Sequence, residues 1–310
     1  MIIKAYTPDK SQEWDQFVQQ TRNGTFMHLR SYMDYHADRF EDASLMVYDN
    51  DKLVAMLPAS KHNNMVASHG GLTYGGLLVA RKLSASKTLE ICQQICAYYQ
   101  EVGFEKLRYK AIPYIYHTLP SQDDLYAMFR LNAQRVRVDL SSTIDIQNKP
   151  AYSKGRKHSI AKAKKWHFNI QETTDFDTYF AIVGQRLADK YDTVPTHSAQ
   201  EMALLQERHP KNIKLYAVYN EEVMEAGVLV YITDTCTHAQ YMAATDFGRE
   251  NGALDLAVDH AIKQAANKRY LDFGISTEEA GQYLNTGLLR QKEMFGSQTT
   301  VYETYELLLS

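Results

Sequence analysis

Cysteine is scarce: three in 310 residues, so the disulfide framework that staples small secreted domains is not available to this chain. Seven prolines and 15 glycines are too few for low-complexity linkers or collagen-like repeats. No apolar run approaches the length of about 18 residues that a membrane-spanning helix needs, and Met1 to Lys10 has no apolar stretch of signal-peptide kind. The expectation is a cytoplasmic protein with no membrane insertion. Neither sign of charge dominates, since 34 Lys+Arg against 37 Asp+Glu leave a net charge of -3. Global charge therefore gives no reason to expect DNA binding, and any phosphate contact must come from a local patch. The 11 histidines lack a His-Glu-x-x-His or comparable ligand spacing, so no metal is expected.

What is present reads as folded and globular: 45% hydrophobic and 23% charged residues. At roughly 150 residues per domain, the length implies two domains. The 22 tyrosines suit strands and substrate-lined clefts equally. Cys92 and Cys96, four apart in a helical pattern, share an apolar face with Leu89, Ile95 and Tyr99, which marks them as packed thiols.

Period and boundary residues predict one order of elements twice. In the first half, strand Ile2 to Tyr6 leads to helices Lys10 to Gln20 and Leu29 to Ala37, then to a hairpin of Leu45 to Tyr48 and Leu53 to Leu57. Strand Asn64 to Ser68, helix Ala85 to Val102, strand Lys106 to Lys110, helix Ser121 to Phe129 and strand Val136 to Leu140 complete it. The second half replays this with strand Phe168 to Gln171, helix Phe176 to Tyr191 and a capping box at Ser198 to Glu201. A hairpin, strand Thr237 to Ala243, helix Gly252 to Asn267 and strands Tyr270 to Phe273 and Val301 to Leu308 follow. Val218 to Ala226 aligns without gaps on Val47 to Ala55 and matches it in Val, Tyr and the closing Ala. A repeat of this length is a duplicated domain, divided here as 1–145 and 146–310, rather than a solenoid unit of roughly 20 to 50 residues. Consecutive strands between helices must pair as antiparallel hairpins, so each half is α+β: a mixed, mostly antiparallel sheet flanked by helices.

That order resembles the GNAT acyltransferase fold, and two copies in tandem resemble the Fem-type peptidoglycan aminoacyltransferases and related acetyltransferase-like proteins. The similarity is carried by Leu271-Asp272-Phe273-Gly274, Gly287-Leu288, Lys292-Glu293-Met294-Phe295-Gly296 and a closing strand with Tyr302 and Tyr305. Tyr74-Gly75-Gly76 and the basic stretch Gly155 to Ala163 resemble further family segments. The resemblance implies a cytoplasmic N-acyltransferase with the acyl donor in the second domain and the acceptor, a small or carrier-linked amine, on the side of the first, in a cleft between the two. The donor is coenzyme A thioester or, alternatively, aminoacyl-tRNA acting on a cell-wall precursor; a binding module without chemistry is the third reading. Oligomeric state is not legible.

Residue roles follow from the same resemblance. Lys292 would stabilise the oxyanion at the donor carbonyl. Asp272, at a strand end, and Asp246, before the long helix, would accept a proton from the attacking amine, with turn or strand-end capping as the competing explanation. Arg249-Glu250-Asn251-Gly252-Ala253 aligns with the family's pyrophosphate loop, with Leu254 where the pattern has a small residue. Tyr74 would line the acceptor pocket, and Tyr283 and Tyr302 are candidate donors to the leaving group. Six cations within twelve residues, Lys154, Arg156, Lys157, Lys162, Lys164 and Lys165, form either a solvated face or a phosphate contact. The glycines at 70, 71, 75 and 76 have neither P-loop nor dinucleotide spacing and read as tight turns.

Overall fold

Strand pairing and helix order repeat along the chain, as the duplicated pattern requires. The computed structural model describes residues 1–191 and 193–309. In order, the elements are β1 (Ile2–Ala5), α1 (Ser11–Gln20), α2 (Arg30–Met33), β2 (Leu45–Asp49), β3 (Lys52–Leu57), β4 (Ser60–His62), β5 (Met65–Ala67), β6 (Leu78–Val79), α3 (Ala85–Glu101), β7 (Lys106–Lys110), α4 (Asp123–Arg130) and β8 (Gln134–Asp145). After these come α5 (Lys154–Lys165), β9 (Asn169–Thr173), α6 (Phe176–Tyr191), α7 (Ala199–Arg208), β10 (Ile213–Asn220), β11 (Val223–Ile232), β12 (Cys236–Ala244), α8 (Asp246–Glu250) and α9 (Ala253–Gln264). The chain ends with β13 (Tyr270–Ile275), β14 (Thr277–Glu278), β15 (Tyr283–Leu284), α10 (Thr286–Glu293) and β16 (Gln298–Leu308).

Two compact units result, and their boundaries correct the simple halves 1–145 and 146–310. The first holds Met1–Leu140, Thr277–Tyr283 and the residues from Val301; the second holds Ser141–Ser276 and Leu284–Thr300. The reason is strand pairing. β16 lies antiparallel to β7, Thr304 opposite Lys110 through Leu308 opposite Lys106, so the last strand completes the first unit's sheet.

In the first unit, β1-β2-β3-β6 and β4-β5-β7-β16 are the strand orders. The β2–β3 hairpin turns on Asn50 and Asp51, both with positive φ, the two-residue turn whose twist matches that of the flanking strands. Its core places Leu45, Val47, Ala55 and Leu57 against Ile91, Cys92, Ile95 and Tyr99 of α3, so the two expected thiol positions lie on the packed side of that helix. In the second unit the order is β13-β12-β11-β10-β9, with Ser141 to Asp145 of β8 alongside β13. Strand β11 is buried over eight consecutive residues, which requires a layer on each face. Val228 and Val230 pack with Val258, Ala261 and Ile262 of α9. On the opposite face Tyr179 of α6 donates its hydroxyl to the Gly227 carbonyl, and Tyr231 approaches Met202 of α7.

The duplication reaches into irregular features. β2–β3 shifts register between Val47 and Tyr48, and β10–β11 shifts between Val218 and Tyr219, the same step of the matched nine-residue segment. A bulge placed twice at one step is an inherited feature of the unit. The sequence pattern missed β4, β6 and α10, all short or without a clear apolar period.

Glycine positions differ sharply in tolerance. A Cβ on Gly75 would collide with the Ser68 backbone, whereas one on Gly184, inside α6, meets nothing within 4 Å. Gly184→Ala is therefore expected to stabilise the protein by about 0.5–1 kcal/mol. Gly75→Ala should destabilise it by at least about 2 kcal/mol. Denaturant unfolding of both variants checks the pair, and a neutral Gly75→Ala would contradict the packing.

Candidate functional site

The site begins where a parallel ladder stops. β12 and β13 pair over three positions, Cys236 with Tyr270, Thr237 with Leu271 and His238 with Asp272. Beyond that last pair β12 continues to Ala244 beside β11 alone, and β13 continues to Ile275 beside β8. β12 also carries a bulge in this stretch, since Tyr241 opposes Leu229 while Ala239 opposes Val230, leaving Gln240 as the extra residue. Strands that part expose backbone groups and side chains of both to one space.

Asp272 lies at the vertex and is fully buried. Its Oδ1 accepts the hydroxyls of Ser141 (2.6 Å) and Thr143 (2.9 Å), both on β8. Its Oδ2 faces His238 Nδ1 at 2.8 Å and accepts the Gly274 amide at 3.3 Å. A carboxylate surrounded by donors is an acceptor held in place, and the geometry assigns the His238 proton to Nδ1. The sequence places Asp272 at an open strand end; the structure encloses it, with its carboxylate held by Ser141, Thr143, His238 and the Gly274 amide.

Lys292, on α10, is 5% exposed, and its Nζ donates to the carbonyls of Gly274 (2.8 Å) and Ile275 (2.7 Å). The ammonium therefore tethers α10 to the free end of β13. Burial lowers its pKa to about 8, with the Asp272 charge opposing the shift. Asp272, His238 and Lys292 gather about the end of β13.

A cleft of about 670 Å³ lies farther along β12, and His238, Asp272 and Lys292 are not among the residues that line it. It is lined by Tyr241 to Ala244 of β12, by Val183, Arg186 and Leu187 of α6, and by Leu288 and Gln291 of α10. Arg249 and Leu254 also reach it. The volume is that of a small-molecule site.

The remaining expectations fare differently. Asp246 is not in the vertex; its side chain is 74% exposed and pairs with Arg186 (3.2 Å) and Arg249 (2.9 Å) on the rim. The segment Arg249 to Ala253 does not fit a pyrophosphate. Gly252, with φ +79°, sits so close to α5 that a Cβ would lie 2.5 Å from the Ser159 carbonyl oxygen. Ala253 is fully buried, Asn251 donates back to the Phe247 carbonyl, and Lys162 Nζ donates to the Glu250 carbonyl. Asp255 in the first turn of α9 already supplies the anion that a helix N-terminus favours, ion-paired to Arg156 at 2.5 Å. Arg156 is consequently an internal partner of Asp255, not a free substrate ligand. Tyr74 is buried among Thr25, His28 and Tyr116. Tyr302 bonds Tyr116 through their hydroxyls at 2.8 Å in the first unit, and Tyr283 is half exposed on β15.

His238 was absent from the sequence candidates. The signal that marks it is a histidine within the Cys236–Ala244 strand, opposite the strand-end Asp272.

No protein-family description matches the sequence, and no curated protein sequence matches it. Solved structures do. FemX superposes with a TM-score of 0.67 at 10% identity, over 99% of this chain and 97% of that one. L-PGS from Bacillus licheniformis gives 0.64 at 10% identity, over 99% and 94%. A tandem GNAT protein from the clavulanic acid biosynthesis pathway gives 0.54 at 10%, over 100% and 98%. At these identities the likeness is one of fold, and it bears out the tandem GNAT architecture and the Fem-type resemblance.

Lys292 binds its proton less tightly folded than unfolded. Between about pH 8 and the ordinary lysine value of about 10.4, the unfolded chain holds more protons, so this group makes the native state gain stability as pH rises. Below about pH 8 both states are charged and the buried ammonium costs a constant amount. Denaturant unfolding at pH 7.5 and 9.5 is expected to show a larger gain for the native protein than for Lys292→Met; equal gains would refute the burial of a charged lysine here.

Proposed function

We propose that the chain is an acyltransferase that moves an acyl group from an activated ester to an amine, with the chemistry in the second unit. The observation that carries this is the parting of β12 and β13 at His238 and Asp272; a cleft of about 670 Å³ lies farther along β12, on Tyr241 to Ala244. The amine nitrogen attacks the acyl carbonyl, the C–N bond forms, and the C–O bond to the donor breaks. With Nδ1 held by Asp272, Nε2 of His238 takes the proton from the amine and returns it to the departing oxygen. Lys292, anchored on the carbonyls of Gly274 and Ile275, supplies the positive charge that offsets the developing oxyanion.

For the donor, the filled loop at Gly252 speaks against coenzyme A held in the usual GNAT manner. The basic helix supports an aminoacyl ester of tRNA. Arg156 and Lys162 serve internal bonds, while Lys154, Lys157, Lys164 and Lys165 remain exposed on α5 as a local phosphate-binding face. Resemblance to the Fem-type enzymes, with the likeness to FemX and L-PGS, supports the same choice. An amine acceptor, small or carrier-linked, is retained as the class.

The test is filter binding of aminoacyl-tRNA beside calorimetric titration of coenzyme A and acetyl-CoA. Aminoacyl-tRNA is expected to bind with an affinity that falls steeply with salt, and that weakens when Lys164 and Lys165 are both changed to Glu. A saturable acetyl-CoA isotherm would overturn the donor assignment. Once turnover is in hand, His238→Ala should lower kcat by about 10²–10⁴ with little change in the donor KM. Loss of the Lys292 proton should give native activity an alkaline decline near pH 8, the pKa that burial imposes, and Lys292→Arg should move that decline upward.

A further inference from the structure

A second concave place in the second unit has its origin in strand register. In the β10–β11 pair Ala226 opposes Val218 and Met224 opposes Tyr219, which leaves Glu225 as the extra residue. One extra residue reverses the alternation of those before it, so Met224 turns to the same side as Gly227. That side carries α6: Tyr179 donates its hydroxyl to the Gly227 carbonyl, and a Cβ on Gly227 would collide with the Tyr179 ring. Helix and strand touch there, and toward the start of β11 a cleft of about 550 Å³ separates them.

Helix α6 has two faces of different use. Tyr179, Phe180 and Val183 are buried toward the sheet, whereas Thr178, Ala181, Ile182 and Gln185 recur at helical spacing along the cleft. Val223, Met224 and Ala244 stand across from them. Met224 is buried and Val223 is 57% exposed, so the cleft has an apolar floor that opens to solvent. An alkyl or aryl group laid on that floor leaves water, which favours its binding.

The rim is acidic. Asp189, Glu222 and Asp246 line the cleft against one cation, Arg186. Asp246 engages both Arg186 (3.2 Å) and Arg249 (2.9 Å), so the arginines near the cleft share one carboxylate. Asp189 accepts from a neutral amide, Gln185 Nε2, at 2.7 Å. Behind the wall, the bulge residue Glu225 is 6% exposed and accepts the hydroxyl of Thr245, which itself lines the cleft. Among the described residues no ion pair joins Glu222 or Glu225 to a cation. Four carboxylates, Asp189, Glu222, Glu225 and Asp246, against two arginines leave two negative charges over beside the apolar floor. A cation with an apolar body satisfies both features, while an anion of the same shape is repelled.

We propose that this cleft binds a hydrophobic amine, its ammonium at Glu222 and Asp189 and its alkyl or aryl body on Ala181, Ile182, Val223 and Met224. The cleft shares Arg186, Asp189 and Ala244 with the larger one, yet it lies apart from the vertex. Ala244, where it meets β12, is six residues past His238, roughly 20 Å along an extended strand. The proposal therefore stands on binding alone and does not rest on the acyl-transfer reading.

Calorimetric titration with n-hexylamine near neutral pH tests it. Hexanoate and hexanol carry the same body with opposite or no charge, and methylamine carries the charge without the body. Saturable hexylammonium binding is expected, with each of the three counterparts weaker by about fivefold or more. Ala181→Phe, which fills the floor from an exposed helix position, should weaken it about tenfold or more. Glu222→Gln should weaken it by about twofold to fivefold, the worth of one solvent-exposed charge pair. Glu207→Gln, on α7, should bind as the native protein does, and so should His238→Ala, since only an amine seated at the vertex would lose affinity there. Circular dichroism and the unfolding midpoint establish that each variant is folded, and a misfolded Ala181→Phe is replaced by Ala181→Leu. Absence of saturable binding, undiminished binding by the folded Ala181 variant, a counterpart binding as tightly as hexylammonium, or lost binding in folded His238→Ala each overturns the assignment.

Discussion

One buried carboxylate organises the second unit. Asp272 gathers donors from β8, from β12 and from its own strand, so three neighbouring strands are pinned at the point where two of them separate. A charge with no exposure is tolerable only when such partners surround it, and removing them would leave it unpaired in a dry interior. The place where β12 and β13 part and the orientation of His238 go with that arrangement. Lys292 extends the same logic, holding α10 against the carbonyls at the end of β13, past its parallel ladder with β12.

The two units show how duplication separates shape from chemistry. Ladder length, hairpin turn and bulge position recur, because they are properties of backbone pairing and of the apolar pattern that buries it. The polar residues at the vertex do not recur. The ladder positions that hold His238 and Asp272 in one unit hold Ala67 and Arg108 in the other. A fold of this kind carries whatever function its vertex residues allow.

The loop from Arg249 to Ala253 illustrates the limit of a short motif. Four positions follow the phosphate-binding pattern, yet the spacing does not reveal that α5 lies against Gly252 or that Asp255 occupies the first turn of α9. A motif specifies backbone conformation; what packs against that backbone comes from a segment about ninety residues earlier in the chain.

By itself, the sequence determined the element order, the duplication and the mostly antiparallel sheets, since apolar period, capping residues and turn residues act over a few neighbours. Ser198 with Glu201, the hairpin at Asn50-Asp51 and helix Phe176–Tyr191 were legible for that reason. Asp272 and Lys292 were legible through the terminal motif. Only the tertiary structure decided that Asp272 is enclosed, that Tyr74 is core, that Asp246 sits on the rim, and that His238 is the group beside Asp272. It also decided that the last strand completes the first unit. Each of these depends on contacts between residues some thirty to two hundred positions apart, and burial, pairing and strand partnership over such distances leave no local period to read.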